Sequence, residues 1–314
     1  MLTGRGHLSR VAALAGMVVL LCSCGAAATS RSSASSLPGQ GKPSIVLGDK
    51  GSGEQLLLGE LYAQAFRALG YIVVLEHNIG GAQQINTAFQ SGQINAYPDL
   101  GELAATDAGH TAPLTSESQA EQIAQQYEQA HGATVMMPVT PFSNTDELVT
   151  LESFARQRNL TTIEQLKALP FRLKFGDYAA QETRYGGYMG LQQAYGLTNL
   201  QFVPLASGAS IYDALDTHLV QVGDGFSTDP QLTSGTYAVL SDPKNIFGFQ
   251  HVALIINTSL LNRLGPQFQQ IYSSVTNLLT LSAMQALNRA VALDHQIPAS
   301  VAHSFLLANH LVSS

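Results

Sequence analysis

From Ser44 onward the chain alternates short apolar runs with segments of helical period, and this alternation confines it to the α/β class. Ser44 to Leu47 reads as a buried strand. A helix opens at Gly51-Ser52-Gly53-Glu54-Gln55 and runs to Leu69, with Leu57, Leu61 and Ala65 on one stripe. Ser52 and Gln55 have the spacing of a capping box, and Gly70 stands where a helix C-terminal glycine belongs. A strand over Tyr71–Glu76, a helix over Ala82–Gln90 and a strand over Ile94–Tyr97 complete a βαβαβ unit. Such a unit implies a parallel sheet whose ligands approach the carboxyl ends of its strands. A helix over Ser116–His131 and a strand over Thr134–Met137 extend this first lobe, and Pro138-Val139-Thr140-Pro141 then marks an extended crossing. The pattern restarts with strands at Glu147–Leu151, Arg172–Phe175, Phe202–Leu205 and Val220–Val222, and helices at Ile163–Leu169, Tyr188–Tyr195 and Ile211–His218. The spacing predicts two lobes, 44–140 and 141–225, with 226–314 returning to the first and ending in helices.

The N-terminus addresses the compartment. Arg5 and Arg10 precede an uncharged run from Val11 to Leu21, the charged and apolar regions of an export signal over residues 1–23. The Leu21-Cys22-Ser23-Cys24 that follows looks like the lipobox of bacterial lipoproteins, with Cys24 the residue acylated. Cleavage there discards Cys22 and leaves no free thiol for a disulfide or for catalysis. Residues 24–43 are rich in Ser, Gly and Pro and read as a flexible tether to the membrane. Loss of Arg5 and Arg10 takes the formal charge from −7 to −9, 13 basic residues against 22 acidic, which argues against nucleic acid and mildly favours a neutral or cationic ligand. No later segment carries the run of about 18 apolar residues that a transmembrane helix needs.

Chemistry-bearing motifs are sparse. The Gly48-Asp49-Lys50-Gly51-Ser52-Gly53 turn lacks the ending of a P-loop and the glycine spacing of a dinucleotide fingerprint. It is a strand-to-helix turn whose backbone N–H groups suit an anionic group, with Ser52 either a ligand donor or a cap. The histidines are scattered without metal-ligand spacing, no Gly-x-Ser-x-Gly elbow occurs, and no cofactor or enzymatic activity is expected. Tyr97, Tyr178, Tyr185, Tyr188, Phe226, Phe247 and Phe249 fall at strand ends and in loops, where they serve either packing or an aromatic wall.

The segments VLGDKGSGEQLLLGELYAQAFRALGY and NIGGAQQINTAFQSGQINAYPDL, then Asn144-Thr145-Asp146, TRYGGYMGLQQAYGL, DGFSTDPQL and YAVLSDPKNIFGFQHVALIIN, occur in the order seen in one family. In them the chain resembles the glycine betaine/choline/osmoprotectant substrate-binding proteins of ABC importers, the ProX and OpuAC-like family. The resemblance implies a two-lobed type II periplasmic-binding-protein fold with a hinge, delivering a small solute to a permease and its ATPase as a monomer. Relatives hold quaternary ammonium in an aromatic cage. Here Tyr97 matches the first Tyr of the family's Tyr-Pro-Glu-Tyr segment, but Leu100 takes the second; Asp146 replaces an aromatic; and Gln250-His251 stand where relatives have Tyr-Asn. The candidate ligand residues are Asp49, Ser52, Tyr97, Asp146, Arg184, Tyr185, Phe226, Ser227, Thr228 and His251. Arg184 matches a family arginine and offers either a partner for an anionic group or a salt bridge near a helix start. The expected ligand is an osmoprotectant such as glycine betaine or choline. The alternatives are another small polar or aromatic solute, or a sensing receptor without transport.

Overall fold

The computed structural model describes residues 36–100, 114, 116–206 and 210–313; Cys24, the signal and most of the tether lie outside them. The chain begins with β1 (Ile45–Gly48), α1 (Gly53–Ala68), β2 (Val73–Glu76), α2 (Ala82–Gln90), β3 (Ala96–Leu100), α3 (Glu117–Ala130) and β4 (Ala133–Val135). It then builds β5 (Asp146–Leu151), α4 (Glu152–Arg158), β6 (Leu173–Tyr178), α5 (Tyr188–Tyr195), β7 (Leu200–Leu205), α6 (Ile211–Asp216), β8 (Val222–Phe226) and β9 (Tyr237–Leu240). It returns through β10 (Val252–Asn257) to α7 (Thr258–Leu264), α8 (Pro266–Leu278), α9 (Leu281–Ala292) and α10 (Pro298–Ala308).

The strands form two five-stranded sheets of matching layout, β2-β1-β3-β10-β4 and β7-β6-β8-β5-β9. In each, three strands run parallel and the fourth enters antiparallel: β10 against β3 and β4, β5 against β8 and β9. The antiparallel strand is the one reached by crossing from the other lobe, so one wiring rule serves both halves. The run VALII of β10 is buried on both faces, as an interior strand covered by helices must be. Helix α1 carries more than the one expected stripe: Leu57, Leu58, Leu61, Tyr62, Ala65 and Phe66 are all buried, because α8, α9 and α10 cover the side turned away from the sheet. The second lobe has its own core around Leu148, Leu173, Phe175, Leu191 and Val222.

Four sequence expectations are corrected. The return to the first lobe comes at Val252 rather than 226, since β9 pairs with β5 in the second sheet. Strands β9 and β10 were hidden in a segment read only as a motif. The stretch Ile163–Ala168 is a 3-10 turn instead of an α-helix. The tether ends before Leu37: Gly39 is buried, its N–H donates to Leu69 O at 2.8 Å, and a Cβ there would lie 2.2 Å from Tyr71 N. Only glycine permits that approach.

Candidate ligand cleft

The two crossings between lobes, Met136–Thr145 and Ser241–His251, are held together by an antiparallel bridge between Ser143 and His251 and by Asn144 N–H donating to Gln250 O at 2.9 Å. On the first lobe, the turn after β1 faces this region. Asp49 accepts from Gly51 N–H at 2.9 Å and Asn78 N–H at 3.0 Å through one oxygen and meets His77 Nδ1 with the other. Its carboxylate therefore ties the end of β1 to the end of β2. Lys50 Nζ reaches Asp99 Oδ1 at 2.6 Å and ties β1 to β3. Ser52 caps α1, accepting from Gln55 N–H at 3.2 Å. The reciprocal half of a capping box is absent, for Gln55 Oε1 is buried without a donor among the described residues. Tyr97 is 1% exposed, edge-on to Phe89, and donates its hydroxyl to Glu128. Asp49 and Tyr97, expected among ligand contacts, are thus turned into the first lobe.

The second lobe presents carboxylates. Asp146, at the start of β5 and 1% exposed, accepts from Gln250 Nε2 at 3.1 Å and lies 3.5 Å from Arg184 Nη1, while its Oδ1 has no donor among the described residues. Parallel pairing of Gly176 with Gly223 sets Asp177 beside Asp224, and antiparallel pairing of Asp146 with Phe226 brings the third carboxylate to the same face. Burial raises all three pKa values: Asp146 against the opposing pull of Arg184, Asp177 to about 6, and Asp224 well above the carboxylate range, with Asp146 and Asp177 adding repulsion. Next along the chain, Glu147 is pushed to about 7 by burial and by Asp242 and Asp146.

The remaining expected residues divide. Ser227 Oγ donates to Ser143 O at 2.6 Å and accepts from Thr145 N–H; Thr228 Oγ1 donates to Asn144 Oδ1 at 3.1 Å. Both brace the loop after β8 against a crossing. Tyr185 packs on the core of the second lobe, as do Tyr188 and Phe247. His251 Nδ1 faces Thr140 O and Phe142 O, so that nitrogen carries the proton, and Nε2 lies 3.4 Å from Glu117. Phe226, 37% exposed, borders two cavities. One, about 430 Å³, lies between the lobes beside Lys50, Ser52, Glu54, Asn144 and Thr228. The other, about 260 Å³, lies in the second lobe at the carboxyl ends of β6, β7 and β8. Sequence reasoning missed Asp177, Asp224, Asp229 and Glu54. A usable signal was present for two of them: Gly176-Asp177 and Gly223-Asp224 each close an apolar run, where strand ends meet ligands. Among the described residues no group of three His, Cys, Asp or Glu side chains is placed to hold a metal ion.

The family described as the substrate binding domain of ABC-type glycine betaine transport systems matches residues 43–308. The chain belongs to that family. Members are the substrate-binding components of ABC importers, and this chain is such a component. A glycine-betaine-binding protein of Pseudomonas aeruginosa is 24% identical to it over 85% of this chain and 88% of its own length. The carnitine transport binding protein OpuCC of Listeria monocytogenes is 22% identical over 88% and 92%. The crystal structure of a glycine betaine/carnitine/choline ABC transporter superimposes with a TM-score of 0.75 at 24% identity, covering 85% of this chain and 99% of the other. The two-lobed binding-protein fold read from the sequence is therefore the fold of this family.

Proposed function

We propose that the chain captures a small organic cation or zwitterion of the osmoprotectant class in its inter-lobe cleft, glycine betaine and choline being the first candidates. It then presents that solute, as a monomer, to an ABC permease and its ATPase on the extracytoplasmic side. The observation that carries this reading is the acidic wall of Asp146, Asp177 and Asp224 at the strand ends of the second lobe, which favours positive charge, within a family whose relatives carry names of quaternary ammonium solutes. Calorimetric titration with choline and glycine betaine tests it: binding at or below millimolar concentration is expected. No binding of either, with binding of an uncharged solute instead, would leave the importer role and remove the ligand class.

The Leu21–Cys24 motif supports a lipid anchor at Cys24. Cys24→Ser is expected to move the protein from the membrane fraction to the soluble fraction with its thermal unfolding unchanged, because Gly39 and the residues after it already belong to the folded body. Retention of that variant in membranes would refute the anchor.

A further inference from the structure

We propose that the cavity at the carboxyl ends of β6, β7 and β8 receives the cationic head of the solute as a hydrogen-bond donor, a primary or secondary ammonium or a guanidinium, rather than as a fully methylated ammonium. The inference rests on the solute-receptor reading and narrows its ligand.

The cavity of about 260 Å³ is walled by the acceptors Asp177, Asp224, Asp229 and Gln231, and no Lys, Arg or His lines it among the described residues. Asp177 is 4% exposed, and its Oδ1 accepts from Tyr178 N–H. No amide, hydroxyl or basic side chain of the described residues reaches its Oδ2, nor Asp224 Oδ1, nor Gln231 Oε1. Three buried acceptors around one cavity, two of them on carboxyls that can satisfy each other only by sharing a proton, are complementary to a group with several N–H bonds. A quaternary ammonium has none, and ring faces rather than carboxylate lone pairs are what suits it. Asp229 is already committed: its Oδ2 accepts from the Tyr212 hydroxyl at 2.7 Å and from Phe226 N–H at 2.8 Å, so it shapes the wall. Tyr178 and Phe226, 45% and 37% exposed, are placed to cover the alkyl part of such a ligand.

The charged groups facing this cluster are few. From β5 comes Asp146, and from the loop before α5 comes Arg184, which lies against it; from α6 and the loop after β8 come Tyr212 and Asp229, bonded to each other. Arg184 lies against Asp146 and also pulls on Asp177 and Asp224, without cancelling the burial that raises both, and these two face one another. Burial raises both pKa values, that of Asp177 to about 6, so that near this pH the pair shares a proton. An entering cationic donor replaces that shared proton, so binding releases protons near pH 6.

The test is titration of the full chain with two N-methylation series, ethanolamine to choline and glycine to glycine betaine. The expected result is an affinity at least about tenfold higher for the primary or secondary amine than for the trimethylated member. Proton release at pH 6 is also expected, read from buffers of different ionisation heat. Asp177→Asn, checked for folding by its thermal transition, should erase the preference. If the trimethylated members bind as tightly as the amines or more so, the inference is overturned while the receptor reading stands. If no member of either series binds at millimolar concentration, the inference and the proposed ligand class both fall, while the importer role of the family stands.

Discussion

Asp146 shows how this site sets burial against charge. Desolvation raises its pKa, and Arg184 and Gln250 pull it back. At Asp177 the Tyr178 N–H and Arg184 oppose burial without cancelling it, and Glu147 has no opposing pull, so these two titrate within an accessible range. Asp177 and Glu147 have folded pKa values of about 6 and about 7, above the ordinary 3.8 and 4.5. The folded state therefore binds protons that the unfolded chain has released. Their contribution to stability is complete below the unfolded values and is lost as pH rises through 6 and 7. The Tm should be higher at pH 5 than at pH 8, and the combined change Asp177→Asn, Glu147→Gln should flatten that slope. A slope unchanged by both substitutions would contradict the assignment.

Among the elements, α1 joins the fold to the cleft. Its N-terminus faces the second lobe, and its first turn carries Glu54, which accepts from Asn144 Nδ2 of the crossing at 2.9 Å and from Asn288 Nδ2 of α9 at 2.6 Å. Asn288 also donates to Thr228 O, so α9 touches both lobes. Ser52 sits at the start of this helix with its hydroxyl oxygen engaged by Gln55 N–H. Ser52→Ala is expected to lower the unfolding free energy by about 1 kcal/mol, seen as a lower urea midpoint at constant slope. Ligand affinity should stay within about threefold of the original, a shift of about 0.7 kcal/mol or less. Affinity falling tenfold with stability unchanged would instead make Ser52 a ligand donor.

For the whole molecule, two sheets of the same wiring are joined by two crossings that pair with each other at Ser143 and His251. Rotation about so short a pair changes the separation of the lobes while leaving both cores intact. A saturating ligand should therefore reduce the radius of gyration in solution scattering, and superimposable curves with and without ligand would exclude closure. Much of this architecture was readable from local pattern: the βαβαβ start, the proline-marked crossing and the second α/β run each follow from period and punctuation that act over a few residues. The return at Val252 was not, because an apolar strand such as β10 declares itself only by the partners it finds in β3 and β4, which lie over 100 residues upstream. The same distinction governs the site. Strand ends and the family resemblance offered Asp146, Arg184 and Phe226 as ligand contacts together with Asp49 and Tyr97, and the partners that hold the last two inside the first lobe, His77, Asn78 and Glu128, come from other elements. Only strand register put Asp177 beside Asp224 and left one oxygen of each without an amide, hydroxyl or basic donor among the described residues, because the environment of a carboxylate is a property of the neighbours that folding brings to it.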